Sequence, residues 1–307
     1  MKRKKVLPIL GIDLGGTNTK LGLVNAKGKL LVTGSVPTLV SQGPLEWAHR
    51  IKEMIDGWGE KFSAIGVASP GPLQTKTGTI LQTPNLREFE GFSMAKVFKK
   101  LFRVPVFFEN DANCAALAEF YFGPYKGQKH IVVLTLGTGV GSGVISEGKL
   151  IRGVSGYATE LGHMIIDRRG PKCFCGKMGC FEAMVGARGT TKRYKDLTGQ
   201  ELSLAELFEE KLLKSSPQAR KIFDDWVESL SIGLANTANI FDPQTIILSG
   251  GVVEAWDKVR APVHQLLSTM IPQPVLESLV IEASQLGKYF GVLGASALVL
   301  HPTSLGS

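Results

Sequence analysis

The sequence predicts an α/β fold in which one supersecondary unit is used twice, and three observations carry that prediction. Apolar runs of strand length alternate with helical periods along the chain, which argues for sheets whose faces are covered by helices. A strand, glycine loop, strand and turn at 6–36 returns at 131–151, and the tripeptide Gly-Lys-Leu stands at 28–30 and again at 148–150. Glycine, 36 of 307 residues, falls in clusters between the apolar runs, so it marks loops and not a collagen-like repeat.

Taken in order, Leu7 to Ile12 is an apolar strand, Gly15-Gly16-Thr17-Asn18-Thr19 a loop, and Lys27-Gly28 a turn between two further apolar runs. A helical period runs from Leu45 to Trp58, followed by a strand at Ala64 to Ala68 and the turn-rich Ser69-Pro70-Gly71-Pro72. An amphipathic helix around Ser93 to Arg103, a short strand at Val104 to Phe108 and a helix from about Asp111 to Phe122 complete the first half. The second copy opens with Ile131 to Leu136, passes through Gly137-Thr138-Gly139-Val140-Gly141-Ser142-Gly143, continues in Val144-Ile145 and turns at Glu147-Gly148. Beyond a cysteine-rich loop lie a mostly helical stretch from Leu202 to Phe241, a strand at Thr245 to Leu248, a helix through Val259 and a strand at Leu279 to Ala283. The last helix, Phe290 to Leu300, is apolar enough to require burial, and packing against the first domain is expected. The division this implies is a small domain of residues 1–120 completed by 290–307, and a large domain of 121–289.

Composition narrows the function. An apolar content of 44% over 307 residues supports a sizeable core and excludes a disordered chain. The formal net charge of +8 is partly local, since Lys2, Arg3, Lys4 and Lys5 precede any predicted element. A short basic run without interleaved aromatics is a solvated tail and not a nucleic-acid grip. The apolar stretch after it contains Pro8 and runs into Asp13 with no small-residue cleavage site, so no export signal is read. No run approaches the ~18 apolar residues of a membrane helix. A soluble, cytoplasmic chain is expected, with neither nucleic acid nor membrane as partner.

Three clusters carry chemistry. Paired glycines in Asp13-Leu14-Gly15-Gly16-Thr17, at a strand end, let backbone N–H groups approach a phosphate, although a hairpin turn with a capping aspartate uses the same string. Gly137 to Gly143 has the same character, and two such loops on equivalent strands can clamp one polyphosphate. Neither fits the G-x-x-x-x-G-K-S/T or G-x-G-x-x-G pattern, which disfavours a P-loop or Rossmann reading. Glu109-Asn110-Asp111-Ala112-Asn113 follows a strand and opens a helix; Asn and Asp cap helices there, and Asp111 could also accept a proton from a hydroxyl attacking a phosphate. His163, Cys173, Cys175 and Cys180, spaced by glycines, suit a closed tetrahedral Zn2+ site, the alternative being buried free cysteines or a reactive thiol pair at Cys173 and Cys175. Cys114 reads as core.

Together, Asp13-x-Gly-Gly-Thr-x-x-Lys20, Glu109-Asn-Asp-Ala-Asn113, Leu136-Gly-Thr-Gly-Val-Gly141, Glu160-Leu-Gly-His163, Cys173-x-Cys-Gly-x-x-Gly-Cys180 and Ser249-Gly-Gly251 resemble, in this order, the ROK family of bacterial sugar kinases. The resemblance spans Leu10 to Leu298. It implies a two-domain actin-like, hexokinase-like ATPase fold closing around sugar and ATP, in agreement with the duplication. It also implies Asp111 as catalytic base, with Asn110, Glu160, His163 and Glu182 on sugar hydroxyls and with Gly71 and Asn85 lining the pocket. Gly15, Gly16, Thr17 and Lys20, with Gly137, Thr138 and Gly139, would serve the ATP phosphates. Asp13 would help position Mg2+ through water, and Gly250 and Gly251 would lie near the adenosine. Two departures fall at the expected sugar pocket: Glu182-Ala183-Met184-Val185-Gly186 replaces the aromatic and Ser-Gly of many family glucokinases, and Ser69 precedes Pro70 where another residue is usual.

The expected reaction is transfer of the ATP γ-phosphoryl group to a hexose hydroxyl, first of all the 6-hydroxyl of glucose, by a homo-oligomer (dimer or tetramer). N-acetylmannosamine, N-acetylglucosamine and fructose are the alternative acceptors, and polyphosphate an alternative donor. The family's sugar-responsive repressors carry a preceding helix-turn-helix domain, and the twelve residues before Asp13 are too few for one. A sugar-binding protein without catalysis is opposed by Asp13, Lys20 and Asp111.

Overall fold

The structure, a computed structural model, describes residues 6–81, 83, 86–251 and 255–302. In chain order it forms β1 (Ile9–Leu14), β2 (Asn18–Val24), β3 (Leu30–Pro37), α1 (Gly43–Trp58), β4 (Ile65–Ser69), β5 (Leu73–Gln74), β6 (Thr79–Ile80), α2 (Met94–Phe102), β7 (Val106–Asn110) and α3 (Asp111–Phe122). There follow β8 (Ile131–Leu136), β9 (Val140–Ser146), β10 (Lys149–Leu150), α4 (Phe181–Val185), α5 (Ala187–Thr198), α6 (Leu204–Leu207), α7 (Glu210–Ser215) and α8 (Pro217–Phe241). The chain ends in β11 (Thr245–Ser249), α9 (Trp256–Met270), α10 (Gln273–Ser278), β12 (Val280–Ala283) and α11 (Phe290–Leu300).

Two five-stranded sheets have one plan, β3-β2-β1-β4-β7 and β10-β9-β8-β11-β12. In each, the first strand pairs antiparallel with its hairpin neighbour and parallel with the strand that follows the crossover. The duplication predicted from 6–36 and 131–151 is therefore real at the level of topology. The repeated Gly-Lys-Leu marks the same turn in both copies: Gly28 and Gly148 have φ of 77° and 72°, a left-handed conformation in which a Cβ would be strained.

The described residues divide into two compact units, one of residues up to 128 with 148–158 and 285 onward, the other of 129–147 and 159–284. The sequence-based cuts at 120 and 290 fall elsewhere. Residues 121–122 complete α3, Lys288 accepts a hydrogen bond from Lys20, and 148–158 is held in the first unit by Arg152. The first unit's core is aromatic: Trp47 of α1 packs against Phe89 and Phe98, each 5.4 Å away between ring centroids, and its indole N–H donates to Thr19 Oγ1 at 2.8 Å.

The apolar α11 docks, as expected, in the first unit. Small residues permit the approach. A Cβ on Gly66 of β4 would lie 1.8 Å from the Ala295 carbonyl oxygen, one on Gly11 of β1 2.2 Å from that of Val292, and one on Gly294 1.8 Å from that of Cys114 on α3. The helix thus lies with its backbone against two strands and a second helix, and Cys114 is buried core as read.

Candidate active site and metal centre

The parallel register of the first sheet brings Asp13, Ala68 and Glu109 into one row, with Ser69 beside Asn110. The C-terminal ends of β1, β4 and β7 therefore open at one edge, the usual place for ligand chemistry in such sheets. From them issue Gly15 to Thr17, the turn Pro70-Gly71 and Asp111. Asn110 Oδ1 accepts from the Ala112 and Asn113 N–H groups at 2.9 and 3.2 Å, so the capping role belongs to Asn110. Asp111, the first residue of α3, is released from capping that helix alone, and its Oδ1 accepts from Ala112 N–H at 2.8 Å.

Desolvation raises the pKa of Asp111 above the ordinary carboxylate value. Burial does the same to Asp13, whose pKa is pushed up to about 6, with the Asp111 charge adding to the rise and Lys20 opposing it. Lys20 faces Asp13 across the β1–β2 pair, and its ammonium donates to the Lys288 carbonyl at 2.9 Å. Asp13 also lies on the first turn of α11, where a Cβ on Gly291 would come 2.5 Å from its Oδ2. The phosphate-loop candidate Gly15 to Thr17 is braced from beneath, since Thr38 donates its hydroxyl to Gly15 O at 2.6 Å and its N–H to Thr17 O at 2.8 Å.

In the second unit, β8 and β11 pair with Thr135 beside Ser249, so Gly137 to Gly139 and Gly250-Gly251 leave one sheet edge together. Gly137 O accepts from Ala187 N–H at 2.9 Å and Thr138 O from Arg188 N–H at 3.2 Å, which fixes the loop on the start of α5. Glu182 reaches the same loop: its Oε2 accepts from Val140 N–H at 3.0 Å, and a Cβ on Gly139 would lie 2.3 Å from that oxygen. Glu160 precedes and His163 ends a short 3-10 turn, Leu161–His163, held against β9. Ser142 bonds Thr159 O and, at 3.1 Å, Leu161 N–H, and Gly162 rests on the Val140 carbonyl.

His163, Cys173, Cys175 and Cys180 converge, one ligand atom from each lying within 4.8 Å of all the others. Cys175 and Cys180 sulfurs are 3.6 Å apart, and Cys173 Sγ lies 3.9 Å from His163 Nδ1. A tetrahedral ion with ~2.3 Å bonds to sulfur sets neighbouring sulfurs about 3.8 Å apart, so the four residues fit Zn2+ with no position left open. A disulfide pair is not formed, as all four cysteines are free. Glu182 Oε1 lies 3.5 Å from Cys173 Sγ, so this carboxylate stands between the metal candidate and the Gly137 loop.

Of the candidate residues of the sequence, Asn85 lies outside the described residues. Gly71, with φ of 79°, follows β4 at the same edge as Asp111. Sequence reasoning missed Arg152, whose guanidinium grips Glu109 from a loop with no motif of its own, and Gly291, which a helix reading treats as one more small residue. The acidic Glu109 inside an otherwise buried strand end was the available signal, because a buried carboxylate requires a partner.

Comparison with known proteins identifies the family. The model of the ROK family matches residues 9–301. A glucokinase of Thermotoga maritima is 33% identical over 95% of this chain and 97% of its own length. A xylose repressor of Bacillus spizizenii is 34% identical over 97% of this chain and 78% of its own. A ROK family glucokinase from Streptomyces griseus, solved in complex with glucose and AMPPNP, superposes with a TM-score of 0.78 at 28% identity, covering 95% of this chain and 98% of that one.

Proposed function

The chain belongs to the ROK family, and from that premise we propose that it is an ATP-dependent hexose kinase acting on the 6-hydroxyl of glucose. The observation that carries the reading is Asp111: a carboxylate at the start of α3 where Asn110 supplies the cap, raised in pKa by desolvation, its charge in turn raising the pKa of Asp13. A hydroxyl that attacks phosphorus loses its proton as the bond forms, and a desolvated carboxylate accepts it more readily than one at the reference value of ~3.9. In this reading Asn110, Gly71, Asn85, Glu160, His163 and Glu182 serve the sugar. Gly15, Gly16, Thr17 and Lys20, and Gly137, Thr138, Gly139, Gly250 and Gly251, serve the nucleotide. Asp13 would help position Mg2+ through water, and the ion when bound neutralises phosphate charge. A four-ligand zinc is structural; it would orient His163 through Nδ1 and leave Nε2 for the sugar. Among the described residues no helix is long and apolar enough to cross a membrane, in keeping with a cytoplasmic kinase.

A second reading is favoured by one finding, the 34% identity to a xylose repressor: a sugar-responsive regulator. An ADP-release assay across glucose, fructose, mannose, xylose, N-acetylmannosamine and N-acetylglucosamine separates them, with polyphosphate tried as donor. Turnover greatest with glucose and ATP supports the proposal. Turnover greatest with an N-acetylhexosamine changes the acceptor, and sugar binding without turnover favours the regulator.

A further inference from the structure

The buried ion pair between Glu109 and Arg152 has no part in the roles assigned above. Glu109 is 1% exposed at the end of β7, and Arg152 comes from the 148–158 segment of the same unit. Its Oε2 accepts from Arg152 Nε at 2.7 Å and from Nη2; its Oε1 accepts from Asn110 N–H at 2.9 Å and Asn113 Nδ2 at 3.0 Å. The two bonds to Oε1 come from the residue before Asp111 and from the residue two after it. One carboxylate therefore ties down both sides of Asp111, and Arg152 ties down that carboxylate. We propose that Arg152 and Glu109 are a positioning pair that sets the β7–α3 junction and so aims the Asp111 carboxylate at the hydroxyl it deprotonates. The role rests on the kinase reading.

A purely structural role explains less. A buried ion pair is weak support for stability, since apolar residues of the same volume often serve as well. Here the carboxylate shares one row of the sheet with Asp13, two strands away, and stands two residues before Asp111. Cys114 on α3 feels Glu109, Asp111 and Asp13 as negative neighbours and Arg152 as the positive one. Lys20 on β2 acts on Asp13. Arg152 thus supplies the cation that faces Glu109 at the strand end before Asp111. Its own backbone is fixed, as Ala158 N–H donates to Arg152 O at 3.1 Å.

The test compares the parent with Arg152→Lys, Arg152→Met, Glu109→Gln and the double variant Arg152→Met/Glu109→Gln. Each is assayed for kcat, both KM values, the pH profile of kcat and Tm, and the Asp111 carboxyl is titrated by carbon-13 NMR. Misplacing a reacting group by an ångström costs on the order of 100-fold in rate, so Arg152→Met and Glu109→Gln should lose about that in kcat, with the nucleotide KM within about twofold. Arg152→Lys should recover part of the loss. The double variant, which buries no unpaired charge, should regain Tm without regaining kcat, and it carries the test if a single variant does not fold. Parental kcat and pH profile in the double variant would overturn the proposal. If the parent itself transfers no phosphoryl group to any sugar, the kinase reading fails, and the Asp111 titration still decides: an unchanged midpoint in Arg152→Lys and in the double variant overturns positioning, a displaced one supports it.

Discussion

At Asp111 and Asp13 the environment, not the residue type, makes the chemistry. Asp111→Asn keeps shape and hydrogen-bond reach but cannot take a proton, so kcat should fall by about 100-fold or more while sugar affinity by calorimetry stays within a few-fold; a variant turning over near the parental rate would return Asp111 to an ordinary first-turn residue. Asp13 makes a prediction about stability. Its folded pKa of about 6 lies above the reference 3.8, so the folded state binds the proton more tightly than the unfolded one. The stability this contributes is complete below about pH 4 and is lost as pH rises through about 6. The Tm of the parent, less that of Asp13→Asn, should accordingly decline across that window, and a flat difference would show that Asp13 is not desolvated. Asp13, Asn110 and Asp111 were legible in the sequence because their neighbours are glycines, amides and strand ends. Arg152 was not, because its partner is 43 residues away and only the fold joins them.

Among the elements, α11 shows what its composition could and could not reveal. Its apolar character predicts burial, but not that Gly66, Gly11 and Gly294 form the seam. Overpacking typically costs ~1–3 kcal/mol, and at a backbone contact of 1.8 Å the chain itself must move. Gly66→Val and Gly294→Ala should therefore each lower Tm by several degrees, about 2–4 °C per kcal/mol at this size. Gly57→Ala is the control: it lies within α1 with nothing within 4 Å of its Cβ, so Tm should hold or rise slightly. Equal losses in all three would discredit the seam. Helix α5 went unread because its residues, Ala187 to Thr198, are polar around most of the helix, and it forms where Gly137 and Thr138 accept its first N–H groups. The cysteine loop was legible from spacing alone, down to His163. Cys175→Ala, or chelation, should remove a stoichiometric metal and weaken sugar binding ~10-fold or more, with a smaller loss for nucleotide, whose loop is linked to the cysteines through Glu182 and Arg188. Full sugar affinity after complete loss of the metal would make the loop a staple with no bearing on the pocket.

For the whole molecule, the duplicated sheet explains why two glycine loops, each following the first strand of its copy, lie far apart in sequence yet at equivalent places in the topology. The sequence revealed the duplication because both hairpins need glycine at one turn, whereas the unit boundaries depend on which segments fold back, as 148–158 does. What separates a kinase from a sugar-responsive regulator on this scaffold is whether a bound sugar receives a phosphoryl group. Phosphorus NMR of the purified chain with ATP, Mg2+ and glucose measures this directly. Appearance of glucose 6-phosphate in step with ADP, abolished by Asp111→Asn, is the result predicted; glucose bound by calorimetry with ATP left intact would contradict it.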